Sequence, residues 1–236
     1  MTEDIVFGAN EEYVEQTKEY GRTDALLAVE LYIVLSIILF IMGYLFATKS
    51  DRLTQSYAFC ARFLYTLVCI GIVLVLCNTK KQKLATIGFS KNNAKKSFVV
   101  GVVLFIVIVI YKGFLLLISG KQLHTNISSI VMEVISNLIF VGFLEELIFR
   151  GYIGTRLFGY FKNKVLSIIV VGIMFAFMHI PYRFVMSNMT FYDFMNVYWR
   201  SFPGLFIPHL FLQWLYSKYN SIIAPTLVHC SFDLLS

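Results

Sequence analysis

Seven residues in the second half of this chain have the types and spacings that acid–base chemistry uses. Glu145 and Glu146 stand side by side in an apolar run, Phe140-Val141-Gly142-Phe143-Leu144-Glu145-Glu146-Leu147-Ile148-Phe149-Arg150, with Arg150 four residues after Glu146. Phe175 and His179 are four apart in a second apolar stretch, and His229 and Asp233 are four apart in a third. On a helix, a glutamate four residues before an arginine shares its face and favours an ion pair. Glu145, turned about 100° from Glu146, cannot join that pair equally, so one carboxylate is held and the other is left for chemistry. The Phe175 ring can pack beside the His179 imidazole. Each pair also has a plain reading: a structural ion pair, an interfacial histidine, a hydrogen bond between helices. A charge at the centre of a bilayer costs about 2.5–3.5 kcal/mol on insertion scales, so three unrelated insertions argue less well than one shared site. Carboxylates and imidazoles together inside a membrane point to catalysis or ion transport.

The elements that must position these residues are membrane helices. The chain has 236 residues, 58% hydrophobic and 14% charged, against roughly 25% charged in soluble domains, and its mean hydropathy is +0.73. An all-α, polytopic membrane helix bundle is expected, with about seven transmembrane helices, or eight. The spans fall at about 25–47, 57–77, 98–119, 129–158, 165–180, 202–217 and 221–235. Spanning takes about 20 residues; the last segment is about 22 Å long and either tilts or stops inside. Residues 181–201, rich in Tyr, Phe and Trp, read as an interfacial or re-entrant segment. The organisation is an acidic cytoplasmic tail, 1–24, and a single transmembrane domain, 25–236, with the motifs in 140–236. A hairpin of the fourth and fifth spans turning near Lys162 puts Glu145 17 residues before the bend and His179 17 after it. Both then lie about 25 Å from the bend, so two polar interruptions arrive at one level.

The net charge of +6 is concentrated in loops: six lysines in 78–97, and Arg150, Arg156, Lys162 and Lys164 in 150–164. Basic short loops face the cytoplasm, which places the N-terminus inside and the chain, multi-pass, in the cell membrane. This basic excess suits anionic lipid headgroups and gives no support for nucleic acid. The acidic start is the reverse of a secretory signal. The four cysteines form no CxxC pair and read as packing residues. Lys112, inside the third span, is expected to snorkel towards an interface. His124 reads as solvated, and His209, after Pro208, as structural.

In order and spacing, EExxxR at Glu145–Arg150, FxxxH at Phe175–His179 and HxxxD at His229–Asp233 resemble the motifs of the CPBP intramembrane proteases, the CAAX-protease and bacteriocin-processing (Abi) family. The third motif has Asp where eukaryotic prenyl-protein proteases have Asn. The resemblance covers about residues 140–236; the first half matches only as membrane helices. It implies a bacterial intramembrane endopeptidase hydrolysing hydrophobic or amphipathic peptides, such as pheromone or bacteriocin precursors, in contact with membrane lipid. It implies catalytic roles for Glu145, His179, His229 and Asp233. Glu145 would activate water, His179 position it, and His229 with Asp233 stabilise the oxyanion, while Glu146, Arg150 and Phe175 support them. Zinc held by Glu145, His179 and His229, a His₂Glu set with an open position, and a metal-free glutamate route fit the same residues. Two other classes stand beside the protease: a non-catalytic membrane partner, such as an immunity or regulatory protein retaining the fold, and an ion-coupled transporter. No motif residue is missing, which weighs against the first. No duplicated halves are visible, which weighs against the second. The sequence carries no signal of oligomeric state.

Overall fold

The computed structural model describes residues 8–49, 55–120 and 126–234. Among them no strand occurs beyond an isolated bridge between Phe89 and Ser221. The helices are α1 (Glu11–Thr17), α2 (Arg22–Lys49), α3 (Gln55–Thr79), α4 (Ala94–Ile118), α5 (Ile127–Tyr160), α6 (Lys164–Met178), α7 (Ile180–Ser187), α8 (Phe191–Tyr219) and α9 (Ile223–Asp233). Each of the seven apolar stretches is helical over most of its described length. Helices α2, α3, α4, α5 and the α6–α7 stretch are long and apolar enough to cross a membrane. Helix α9, 11 residues and about 16 Å long, is too short to span alone. The aromatic stretch 181–201 is helical too, divided between α7 and the start of α8. Lys121 and His124 lie outside the described residues.

Polarity is distributed as in a multi-pass membrane protein. The outward faces expose Ile37, Phe40, Val103, Ile110 and Phe114, while Glu146, Arg150, Arg156, His209 and His229 are buried. An apolar exterior needs no partner in lipid, whereas buried polar groups must find partners inside the bundle.

Helix α5 is unusual along its length. Two π-helical stretches, Asn137–Phe143 and Leu147–Gly154, bracket a three-residue α segment, Leu144–Glu146. Such wide turns shift side chains out of regular register and recur at functional sites. The chain leaves α5 through extended Phe161, and Asn163 caps α6 by accepting the Leu166 N–H at 3.0 Å. This is the hairpin expected near Lys162. Helix α9 lies along α4 and the first π turn of α5. The approach is close: a Cβ on Gly101 would fall 2.9 Å from Ala224 Cα, and one on Gly142 3.0 Å from the Thr226 carbonyl oxygen.

The acidic N-terminal segment is not a free tail where the structure describes it. Tyr13 of α1 is buried against Phe158 (5.0 Å between ring centroids) and Tyr216 (5.9 Å). Glu12 accepts hydrogen bonds from Ser90 Oγ and Asn92 Nδ2, both at 3.1 Å, and the Asn10 N–H donates to the Ser217 carbonyl at 2.9 Å. The N-terminal segment, the lysine-rich 80–92 loop, the end of α5 and the α8–α9 turn therefore gather at one end of the bundle. Arg156 fastens this end from within. Its Nη1 donates to Thr155 Oγ1 (2.8 Å) and the Gly151 carbonyl (3.0 Å), and its guanidinium lies over the Tyr20 and Tyr152 rings.

Candidate active site

Glu146 and Arg150 form the buried foundation of the site. Both side chains are 0% exposed, and Arg150 Nη1 meets Glu146 Oε1 at 2.9 Å. The expected i, i+4 pair is present although π turns follow the glutamate. The guanidinium also lies over the Phe175 ring, 4.6 Å from its centroid. The same Glu146 oxygen is 2.6 Å from His229 Nδ1. A carboxylate only accepts, so Nδ1–H donates. This contact fixes the tautomer and turns Nε2 towards the remaining carboxylates.

Glu145 occupies a different environment. Its side chain is 25% exposed, and Oε2 lies 3.7 Å from His229 Nε2 without a hydrogen-bond partner among the described residues. Asp233 Oδ2 is also 3.7 Å from His229 Nε2, and the Asp233 side chain is 39% exposed. The His229–Asp233 relation is thus looser than their shared face suggests; the close partner of His229 is Glu146, 83 residues earlier in the chain. Such a pairing across sequence leaves no local spacing to read.

Phe175 ties the histidines together. Its ring packs against His179 (5.2 Å), His209 (5.6 Å) and His229 (6.0 Å), and against Phe149 (5.1 Å). His179 sits at the junction of α6 and α7, half-buried, with Nδ1 3.0 Å from the Phe175 carbonyl oxygen. Nδ1–H is the donor there, leaving Nε2 available. The Tyr198 hydroxyl donates to the Ala176 carbonyl and steadies this last turn of α6. His209 is fully buried on α8, and a Cβ on Gly172 would fall 2.9 Å from its ring. Its proline context suggests a helix kink; that it lies against Phe175 was not readable.

A bound metal would need several donor side chains gathered around one point. Among the described residues no three His, Cys, Asp or Glu side chains are gathered so as to hold a metal ion. Glu145, His179 and His229 are no exception: Glu146 leaves His229 Nε2 open to a ligand, but the three side chains are not gathered around one point. As placed, the three residues do not make the His₂Glu set that the zinc alternative needs.

Residues 127–235 match the family model for type II CAAX prenyl endopeptidase Rce1-like proteins. A stretch of 96 residues is 30% identical to the UPF0177 protein YxdF of Lactococcus lactis subsp. lactis (strain IL1403), covering 41% of this chain and 43% of that protein. The chain thus spans less than half the length of this curated relative. No solved structure matches. The matched segment runs from the start of α5 through α9 and contains all three motifs. Over residues 127–235, just under half of its length, the chain is therefore similar to the Rce1-like type II CAAX prenyl endopeptidases.

Proposed function

We propose that this protein is an intramembrane endopeptidase that hydrolyses hydrophobic or amphipathic peptides with a water activated by Glu145. One observation carries the reading. Of two adjacent glutamates, one is fully buried and paired, while the other points a lone carboxylate oxygen at an oriented imidazole 3.7 Å away. A water beside that gap can hydrogen-bond to both atoms.

Glu145 takes one proton from this water as its oxygen attacks the scissile carbonyl carbon. The carbonyl oxygen becomes an oxyanion. His229, in its cationic form, donates Nδ1–H to Glu146 and Nε2–H to that oxyanion; such a donor is worth about 2.7–4 kcal/mol. Asp233 and Glu145, each 3.7 Å from Nε2, favour the cation. As the C–N bond breaks, Glu145 passes its proton to the leaving nitrogen. His179 positions the water or the substrate from across Phe175. Arg150 and Glu146 hold the imidazole still. In this reading the basic loops and N-terminus lie in the cytoplasm, and the substrates are membrane-borne peptides such as pheromone or bacteriocin precursors.

The test is a comparison of membrane and secreted peptides, by mass spectrometry, from cells expressing the wild-type chain or the Glu145→Gln variant at equal levels. The expected result is a set of cleaved peptides absent from the variant. Identical peptide sets would overturn the proposal.

A further inference from the structure

Lys112 does not snorkel. It turns inward from α4, donating from Nζ to the Phe232 carbonyl at 2.7 Å and also to the Leu234 carbonyl. These carbonyls close α9, the helix that carries His229 and Asp233. At the other end of α9, the Ala224 N–H donates to Ser97 Oγ at 2.9 Å, and Gly101 lets the two backbones touch. Helix α4 therefore grips α9 at both ends. Ser97 and Lys112 are separated by about 22 Å along α4, and Ala224 and Leu234 by about 15 Å along α9. A helical side chain leans towards its own N-terminus, so the lysine stem closes the difference.

We propose that Lys112 is a positioning residue: from α4, outside the segment matched by the family model, its ammonium caps the end of α9 and sets the depth of Asp233 and His229. The inference rests on the reading of Glu145 and His229 as catalytic. The last carbonyls of a helix have no partner within it, and leaving them bare in apolar surroundings is costly. A cation there also complements the helix dipole. Helix α9 ends one residue past His229-Cys230-Ser231-Phe232, with Leu234 buried. Without the cap its last turn can fray, and that turn carries Asp233. An alkyl side chain at 112 would suit lipid better but leave the carbonyls unmet. The ammonium also lies within electrostatic reach of Asp233 and Glu133.

The test uses the purified full-length chain in detergent micelles with ¹⁵N-labelled histidine. The chain has four histidines, so ring signals can be assigned with single His→Gln variants. Lys112→Met is expected to move the His229 ring signals and leave those of His209 in place, and Lys112→Arg to restore them. With a cleavable peptide, Lys112→Met lowers kcat about 10- to 100-fold with little change in KM. Unmoved His229 signals in folded Lys112→Met overturn the proposal. Should that variant not fold, Lys112→Gln, shorter and uncharged, replaces it, and wild-type His229 signals there overturn it equally. Shifted signals in a protein that cleaves no peptide, wild type included, uphold the placement of Lys112 and reject the protease reading instead.

Discussion

Glu145 and Glu146 share a peptide bond and little else. Glu146 Oε1 is shared by the Arg150 guanidinium and the His229 Nδ1–H in a fully buried setting, whereas Glu145, a quarter exposed, holds Oε2 3.7 Å from His229 Nε2. Substitutions should separate them. Glu145→Gln is expected to lower turnover by about 10²–10⁴-fold, the usual loss of a general base, with an unchanged melting temperature. Glu146→Gln and Arg150→Ala each leave a buried charge without its partner, which costs about 3–5 kcal/mol. Thermal melts of the purified variants check this; equal Tm losses at 145 and 146 would contradict it. At this scale the sequence was informative wherever partners are one helical turn apart. Glu146–Arg150 and Phe175–His179 follow from a four-residue spacing. The Glu146–His229 bond and the burial of His209 against Phe175 do not, because they join different helices and depend on how the bundle closes.

The helices place these residues through close approaches that the sequence marks only as glycines. Gly101 and Gly142 sit where α9 meets α4 and α5. Gly101→Leu should push α9 away from α4, destabilising the protein by the 1–3 kcal/mol or so typical of overpacking and lowering activity beyond what the lost fold explains. Gly113, which has open space around it, serves as the control: Gly113→Leu on the same helix should be silent in both melting and activity. The apolar helices and the hairpin at residues 161–163 were legible because apolar length and a polar break suffice to place them. The π turns around Leu144–Glu146 were not, since composition carries no signal for an extra residue in a turn. Nor was the docking of α1, whose charged residues hide a buried face of Tyr13, Val14 and Thr17.

Among the described residues, the lysine-bearing 80–92 loop and the turn at 161–164 share an end of the bundle with the N-terminal segment. A cysteine placed at the exposed Asn92, after replacement of Cys60, Cys69, Cys77 and Cys230, should resist a membrane-impermeant thiol reagent in intact cells and react after lysis. Labelling in intact cells would invert the orientation. In the proposed mechanism, α5 and α9 contribute Glu145 and His229 to one step. The most direct measurement is a double-variant cycle on hydrolysis of a peptide identified from the mass-spectrometric comparison, with purified wild type, Glu145→Gln, His229→Gln and the double variant. Residues that act on one transition state lose activity together. The account predicts that each single variant loses most of the rate and the double variant scarcely more. Losses that multiply independently, or a Glu145→Gln protein that cleaves at the wild-type rate, would contradict it.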